Sequence, residues 1–417
     1  MQTKFAPGLV IALFSLLLAS ASAQGPTFKI LHSFAGGPSD GNYPSSGLSW
    51  DAHGNLYGFT LTGGADTTGC FSDGCGTAFK LTPSNGRWKE NVLYSFAPAT
   101  YYYQLYFPPV IDAADNVYGV QGNWGDPTCQ CGAVFELAKN GNTWTQNVLH
   151  NFTGGFVSGT PDGQWPGSGL VQDAAGNLYG TTDAGGNPNY YYGTLYQFTP
   201  GTDGTWAYSI PYAFYVDGSP YAANPYGQLI TDSVGNIYGT SSGGLYGYGA
   251  AFELSPSETG WNTSILSSFT LSYGSYPSLN GVVMDSDGNL YGVDPDAGAN
   301  AVGTIYKLTP SIGYWNQTVL YTFSGGADGG FPINVVVGPQ GALYGVTSRG
   351  GIFGYGNVFQ LSLEKGNWKE TVLHAFANKT DGGSPDAGLT LDQQGNLYGT
   401  AGTGGIYGYG TVFEITP

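Results

Sequence analysis

Charged residues are scarce in this chain of 417 residues: they make up 9% of it, and only 11 are Lys or Arg. The formal charge is −17, and a chain with so few cations repels nucleic acids and anionic membrane surfaces. Both classes of partner are therefore excluded. Long apolar runs are lacking after the first 24 residues, so the sequence predicts no membrane insertion of the mature chain.

The N-terminal segment has the features of a secretory signal. Lys4 precedes an apolar run over residues 9–18, and three small residues follow it. This order is typical of a signal peptide over residues 1–23, so we predict cleavage before Gln24 and one mature domain over residues 24–417. The alternative is a membrane anchor, for which the apolar run is short. Loss of the single N-terminal lysine makes the charge −18, and the mature protein is expected to be secreted, extracellular or periplasmic.

Only four cysteines are present, and all lie in the first third of the chain. In an exported chain an even number favours disulfides, and proximity in the sequence favours the pairs Cys70–Cys75 and Cys129–Cys131. The second pairing is the less secure, because a single residue separates its two cysteines. A zinc site is the alternative, although no histidine lies near these cysteines in the sequence.

A motif recurs along the whole chain. An Asn or Ala, an aliphatic residue, Tyr and Gly follow one another seven times, with steps of 53 to 61 residues between copies. The seven tyrosines are Tyr57, Tyr118, Tyr179, Tyr238, Tyr291, Tyr344 and Tyr398. A fixed period of this size is typical of a repeat architecture. We therefore interpret a residue type that recurs in register as structural, and one that breaks register as a candidate for function.

Each repeat contains four short segments in which apolar and polar residues alternate, as is typical of strands. In the first repeat these segments are residues 46–51, 55–58, 76–83 and 88–96. An Asp-x-x-Gly-Asn turn joins the first two strands, and the third strand begins with glycine. Long helical periodicity is absent from the mature sequence, so the predicted fold class is all-β.

The two ends of the chain are out of phase with the repeat. Residues 28–34 resemble a fourth strand, whereas residues 410–417 resemble a third strand. The last repeat therefore lacks an outer strand, which the N-terminus can supply. A closed ring needs such a clasp, whereas an open solenoid needs polar caps. We predict a seven-bladed β-propeller of four-stranded blades, with the last blade closed by the N-terminal strand.

The repeat consensus resembles that of a known family. The elements DG-x-x-P, D-x-x-GN-LYG-T, GTVF-x-L-TP and W-x-x-TVLYSF recur over residues 28–417, and the copy at 381–417 is close to the consensus. In this combination the chain resembles the GloVer tandem repeat of secreted bacterial proteins. The resemblance implies exported repeat proteins, sometimes with a C-terminal anchor, whose activity is not assigned as a class. We expect no such anchor here, which favours free secretion or periplasmic residence.

No arrangement typical of catalysis stands out in the sequence. His32, His150 and His374 share one position of the fourth strand, at which other repeats carry Tyr or Ser, so we interpret them as structural. We find neither a Ser-His-Asp set nor a histidine cluster with metal-ligand spacing. The sequence therefore predicts no cofactor and no metal site, and an enzyme is not favoured.

A second recurring element, Asp-Gly-x-x-Pro, precedes the first strand of several repeats. Its full copies begin at Asp40, Asp162, Asp328 and Asp381. Repetition favours a structural turn that leads into the innermost strand. The alternative is an acidic ring near the mouth of the central channel that could hold a cation.

The strongest departures from the repeat are aromatic residues in loops. In a propeller, the fourth-to-first and second-to-third connections share one face, which we call the loop face. A tyrosine ring with its hydroxyl suits contact with sugars or proteins. The candidate ligand-binding residues are Tyr101, Tyr102, Tyr103, Tyr106, Trp124, Trp165, Tyr190, Tyr191 and Tyr192. By contrast, Tyr248, Tyr355 and Tyr409 recur in register and are interpreted as packing residues.

The predicted function is binding of an extracellular ligand, a glycan or a protein, through the loop face. One alternative is an enzyme that acts on a polysaccharide from the same face. Another is a structural component of a surface or matrix that self-associates through exposed tyrosines.

Overall fold

Short strands account for almost all of the regular structure, as the alternation of apolar and polar residues predicts. The structure is a computed structural model that describes residues 25–65, 70, 73–97, 105–122, 129–154, 162–186, 191–215, 222–258, 260–270 and 281–417. Within these residues, thirty strands form seven antiparallel sheets, and the only helix is a 3-10 helix of three residues.

The sheets are the blades of the propeller, numbered in chain order. Blade 1 contains β2 (Gly41–Pro44), β3 (Ser49–Trp50), β4 (Leu56–Gly63), β5 (Thr77–Ser84) and β6 (Arg87–Ser95). Blade 2 contains β7 (Val110–Ile111), β8 (Val117–Gln121), β9 (Ala133–Asn140) and β10 (Thr143–Asn151). Blade 3 contains β11 (Gly163–Pro166), β12 (Val171–Gln172), β13 (Leu178–Gly185), β14 (Thr194–Pro200) and β15 (Trp206–Ala213). Blade 4 contains β16 (Ala223–Thr231), β17 (Ile237–Gly243), β18 (Ala250–Ser257) and β19 (Gly260–Ser268).

The remaining three blades follow the same plan. Blade 5 contains β20 (Val282–Met284), β21 (Leu290–Asp294), β22 (Thr304–Ser311) and β23 (Tyr314–Thr322). Blade 6 contains β24 (Gly330–Val337), β25 (Leu343–Arg349), β26 (Asn357–Glu364) and β27 (Asn367–Ala375), with the 3-10 helix Pro339–Gly341 between its first two strands. Blade 7 contains β28 (Thr390–Leu391), β29 (Leu397–Ala401), β30 (Thr411–Thr416) and β1 (Thr27–Ser33). In blades 1 and 3 the innermost strand is broken into two pieces, both of which pair with the second strand.

The N-terminal strand closes the ring. In blade 7, β1 pairs antiparallel with β30, so that Phe28 lies opposite Ile415 and Ser33 lies opposite Thr411. The first and last strands of the chain therefore share one sheet. This confirms the seven-bladed propeller and the clasp predicted from the phase of the repeat.

The apolar core is divided into layers between neighbouring blades. Tyr57 and Phe59 of β4 pack with Phe135 of blade 2, whereas Phe79 packs with Tyr398 of blade 7. Each blade thus buries one face against each neighbour, and aromatic side chains supply much of the buried area. Tyr57 is fully buried, and Tyr179 is 8% exposed.

The Asp-x-x-Gly-Asn turn fixes the first two strands of a blade. Asp51 Oδ1 accepts hydrogen bonds from the backbone N–H groups of His53 and Asn55 at 2.9 Å. Its Oδ2 accepts the Asn55 side-chain amide at 2.6 Å and the Tyr57 hydroxyl at 3.1 Å. The same bonds recur in blades 2, 3, 4, 5 and 7, while blade 6 has the 3-10 helix instead. One carboxylate therefore anchors both the turn and the core tyrosine.

The Asp-Gly-x-x-Pro aspartates face the outer strand of the preceding blade. His32 Nε2 lies 3.3 Å from Asp40 Oδ2, and this oxygen also accepts the Ala35 N–H at 2.8 Å. Three further aspartates pair in the same way, as Asp162 with His150, Asp328 with Tyr321 and Asp381 with His374. His32, His150 and His374 thus each pair with an aspartate that leads into the next blade. These carboxylates also accept backbone N–H groups at the ends of outer strands, as expected of a structural turn.

Candidate functional site

Neighbouring blades are joined on the loop face by a repeated hydrogen bond. The N–H of Tyr43, which precedes Pro44 in blade 1, donates to the Tyr409 carbonyl of blade 7 at 2.9 Å. The same bond joins four more interfaces, from Trp165 to Cys131, Asn224 to Tyr192, Phe331 to Val302 and Ser384 to Tyr355. In each case the acceptor residue precedes the glycine that begins a third strand. The innermost strand of one blade is thereby fixed to the blade before it.

The glycine is required because the next proline packs directly on it. A Cβ added at Gly132 would lie 2.2 Å from Pro166 Cδ, and one at Gly410 would lie 2.5 Å from Pro44 Cδ. No real side chain tolerates such a distance. The glycine of blade n and the proline of blade n+1 therefore form one contact, which explains why both recur in every full copy of the repeat.

The residue before the proline has a strained backbone. Tyr43, Trp165, Asn224, Phe331 and Ser384 have φ between +49° and +56°, whereas a residue before proline normally adopts extended conformations. The inter-blade hydrogen bond and the Gly–Pro contact hold this conformation in place. The backbone is thus constant while the side chain varies. Strained backbone conformations cluster at functional sites.

Tyr43, one of these five residues, makes a short hydrogen bond to a carboxylate that precedes β28 of blade 7. The Tyr43 hydroxyl donates to Asp386 Oδ2 at 2.5 Å. Burial, and then the bond to Asp386, raise the pKa of Tyr43, so its hydroxyl stays protonated. Burial also raises the pKa of Asp386, although the Tyr43 hydroxyl and Arg349 oppose that rise. Blades 1 and 7 thus share a partly buried acid at the inner edge of the ring.

Three further residues lie around this acid. Tyr106 of blade 2 is 40% exposed, and burial followed by the charge of Asp386 raises its pKa. Burial, then Tyr106 and then Asp183 raise the pKa of Tyr226 in blade 4. Asp183 lies at the loop-face end of β13, and burial raises its pKa as well. The charges of these groups act on one another, which places the five side chains near one another on the loop face. We call the five residues Tyr43, Tyr106, Asp183, Tyr226 and Asp386 the mouth cluster.

A single cation borders the mouth cluster among the described residues. Arg349 is exposed at the end of β25, and its guanidinium carbon lies 5.0 Å from the centre of the Phe331 ring. Phe331 occupies the same strained position as Tyr43. Aromatic stacking holds the guanidinium in place, so that its charge acts on Asp386.

The mouth cluster combines two kinds of recognition chemistry. The carboxylates of Asp183 and Asp386 can accept hydrogen bonds from hydroxyl or ammonium groups. The three tyrosines offer flat apolar faces and hydroxyls that both donate and accept. Together they suit a ligand that has apolar faces and many hydroxyl groups.

The structure describes four of the nine residues that the sequence predicts at the ligand site. Tyr106 and Trp165 are 40% and 44% exposed on the loop face, and Tyr191 is 39% exposed. Tyr192 is half-buried and packs against the core between blades 3 and 4, while its carbonyl accepts the Asn224 N–H. The other five, Tyr101, Tyr102, Tyr103, Trp124 and Tyr190, lie outside the described residues.

Sequence reasoning missed four members of the mouth cluster, which are Tyr43, Asp183, Tyr226 and Asp386. Tyr43 and Asp386 lie within or just after an Asp-Gly-x-x-Pro copy, which we interpreted as a turn because it recurs. The signal that could have revealed them is the residue before the proline. It is aromatic in the copies with Tyr43, Trp165 and Phe331, although the motif around it is constant.

Other loop-face tyrosines divide into packing and exposed residues. Tyr248 packs against the core between blades 4 and 5, as its register predicts. Tyr355 and Tyr409 are about two-fifths exposed, and their carbonyls accept inter-blade hydrogen bonds. Residues at the tips of the same loops are more exposed, namely Tyr246, Ile352, Phe353, Ile406 and Tyr407.

The four cysteines form two local disulfides, between Cys70 and Cys75 and between Cys129 and Cys131. Both lie in second-to-third-strand connections on the loop face. The predicted pairing is confirmed, and the zinc alternative is wrong because all four sulfurs are bonded. Within the described residues, no helix has the length and apolarity needed to cross a membrane.

Solved structures share the fold at low sequence identity. The extracellular domain of a protein described as a one component system from B. thetaiotaomicron is 14% identical, with a TM-score of 0.52. That match covers 93% of this chain and 42% of the other. A protein described as a 6-phosphogluconolactonase from Bacteroides uniformis is 15% identical, with a TM-score of 0.50, over 81% of this chain and 86% of the other. At this identity the likeness shows the fold alone. Among curated proteins, no match was found.

A family assignment comes from the sequence repeat itself. The profile of the Gloeobacter/Verrucomicrobia repeat matches residues 70–263 and again residues 225–417. The two matches together span residues 70–417, which is most of the chain. The chain belongs to the Gloeobacter/Verrucomicrobia repeat family.

Proposed function

We propose that this protein is an exported β-propeller that binds a neutral carbohydrate at the mouth cluster. The observation that carries the proposal is the Tyr43–Asp386 hydrogen bond of 2.5 Å, made from a strained backbone position at the inner edge of the ring. The strained backbone fixes the Tyr43 ring, and the bond from its hydroxyl orients the Asp386 carboxylate for contact with a ligand.

Charge supports a neutral ligand. The formal charge of −17 disfavours anionic polymers, and the mouth cluster adds two acids of its own. Sugar hydroxyls can donate to Asp183 and Asp386, and tyrosine rings can stack on the apolar faces of sugar rings. A protein partner would instead need a larger interface with a fully buried, more apolar centre.

Three observations support export. Residues 1–23 have the sequence of a signal peptide. The two disulfides belong to an oxidising compartment. The structurally similar domain from B. thetaiotaomicron is described as extracellular.

A glycan array followed by calorimetry tests the proposal. The purified chain should bind a neutral glycan, and Tyr106→Ser or Asp386→Asn should weaken its Kd at least about tenfold, the loss expected from a central contact. Tyr106→Ser should leave the melting temperature nearly unchanged, because this side chain is 40% exposed. The matched control is Ile312→Ser, since Ile312 is 98% exposed in the β22–β23 turn and should leave binding unchanged.

Other outcomes identify the alternatives. Release of products from a polysaccharide panel would make the protein an enzyme that acts on the glycan. Assembly that depends on concentration and is lost on replacing Phe353 or Tyr407 would favour self-association. Absence of glycan binding, or equal loss in Ile312→Ser, contradicts the proposal.

A further inference from the structure

The histidine–aspartate pairs of the loop face differ in their third neighbour, which the next blade supplies. At blade 3, Tyr208 stacks on His150 at a centroid distance of 3.8 Å and donates a hydrogen bond to Asp162 at 2.8 Å. At blade 7, Phe28 stacks on its histidine at 3.7 Å. At the seam between blades 7 and 1, the residue in this position is Glu90, which follows Trp88 by two residues as Tyr208 follows Trp206.

Glu90 therefore places a second carboxylate where another repeat has a neutral donor. The ligand atoms of His32, Asp40 and Glu90 all lie within 4.8 Å of one another. Asp40 is 8% exposed, and Glu90 Oε1 is buried without a hydrogen-bond partner among the described residues. Two neighbouring carboxylates at a buried site need a positive charge between them.

We propose that His32, Asp40 and Glu90 bind a divalent cation, with Zn²⁺ as the favoured ion, at the seam of the ring. One imidazole nitrogen and two carboxylate oxygens form a ligand set that suits zinc, and three protein ligands leave a fourth position for water. His32 lies on β1, Asp40 leads into β2 and Glu90 lies on β6. The ion therefore joins the N-terminal clasp to blade 1.

Backbone groups already orient the central ligand. Asp40 Oδ1 accepts the Gly41 N–H at 2.7 Å, and Asp40 Oδ2 accepts the Ala35 N–H at 2.8 Å. Each carboxylate oxygen keeps a lone pair for the ion, and hydrogen bonds of this kind typically tune metal ligands. Metal ligands bind in their deprotonated forms, so zinc binding is expected to release protons.

Two related clusters each lack a feature that the site formed by His32, Asp40 and Glu90 has. Between blades 5 and 6, Glu370 feels the charge of Asp328 as Glu90 feels that of Asp40, but Tyr321 stands in place of the histidine and removes the nitrogen ligand. On the opposite face, Asp51 lies near His53 and Asp115. The carboxylate of Asp51 is already occupied by four hydrogen bonds and by a lysine at 3.4 Å.

Calorimetric titration with ZnCl2 near pH 7.5, after treatment with a chelator, tests the site, and thermal melting provides a second readout. We expect one zinc per chain and a rise in melting temperature, because the ion binds the folded ring. Glu90→Gln and His32→Tyr should weaken the zinc Kd at least about tenfold, as loss of a ligand or of its support does. Gln and Tyr occupy the same positions in other repeats, at Gln146 and Tyr321, so both variants should fold.

Three controls locate the ion. Glu370→Gln, His374→Tyr and His53→Asn should keep the wild-type Kd and the zinc-dependent rise in melting temperature. Loss of the response in Glu370→Gln would place the ion between blades 5 and 6 and overturn the proposal. Absence of a response in the parent, or an unchanged response in both Glu90→Gln and His32→Tyr, would also overturn it, because a proton on Glu90 then supplies the charge.

Discussion

At the residue scale, single carboxylates hold the blades together by accepting several hydrogen bonds at once. Asp232 is one of the turn aspartates, and its oxygens accept two backbone N–H groups, the Asn236 side-chain amide and the Tyr238 hydroxyl. Burial opposes ionisation, but the bonds from Asn236 and the backbone outweigh it, so the pKa of Asp232 lies below its ordinary value. The ionised form is therefore the one that folding favours.

Asp232→Asn should destabilise the protein by about 1–3 kcal/mol at pH 7, because an amide nitrogen then faces two donors. A carboxyl with a lowered folded pKa contributes stability that is present above its unfolded pKa of about 3.9 and lost as the pH falls through the folded value. The difference between the parent and the variant should accordingly shrink below about pH 4. Urea unfolding at pH 7 and pH 3 measures it, with the exposed Glu364→Gln as control. An equal difference at both pH values would contradict this account.

The sequence predicts the packing residues better than the candidate site. The recurrence of Tyr57 and Tyr179 in register predicts that they are packing residues. The structure confirms that both lie in the core. Tyr43 and Asp386 escaped prediction because they are 343 positions apart and meet only when the ring closes. The Asp-Gly-x-x-Pro motif recurs and is therefore interpreted as a turn, although the side chain before its proline differs between copies.

At the element scale, the third strand begins with glycine because of the neighbouring blade. Gly132 has φ +95°, and an added Cβ would meet Pro166 Cδ at 2.2 Å and the Gln121 carbonyl at 2.9 Å. The sequence shows that the glycine recurs, but its contact lies in the next repeat. The reason for this glycine is therefore visible only in the assembled ring.

Gly132→Ala should cost at least about 2 kcal/mol more than Gly141→Ala, since overpacking against Pro166 adds to the backbone strain. Gly141 lies in the β9–β10 turn with φ +62° and nothing within 4 Å of an added Cβ, so its variant isolates the strain alone. Chemical unfolding of both variants measures the difference. Equal losses would show that the Gly–Pro contact relaxes and does not join the blades.

At the scale of the whole molecule, the chain is a ring whose two ends share blade 7. The sequence predicts this architecture because the mismatch in phase between residues 28–34 and 410–417 has a simple explanation only in a closed ring. The arrangement of loops on the loop face depends on segments that differ between repeats. The length and composition of these segments differ from repeat to repeat. The repeat pattern therefore predicts the face on which they lie but not the contacts that they make.

Deletion of residues 1–34 should open the ring, whereas deletion of residues 1–26 should have little effect because β1 begins at Thr27. The longer deletion removes Leu31 and Phe34, which are buried against blade 1, and each such side chain contributes about 1.5–3 kcal/mol. It also leaves β30 as an unpaired edge, which promotes association between chains. We expect a loss of at least about 3 kcal/mol in the free energy of unfolding, together with oligomers in size-exclusion chromatography.

If the longer deletion does not accumulate, Phe34→Ala in the full chain tests the same contact, with an expected loss of about 3–5 kcal/mol. Melting of the two deletion variants at the same temperature would contradict the clasp, because the ring would then be stable without its N-terminal strand.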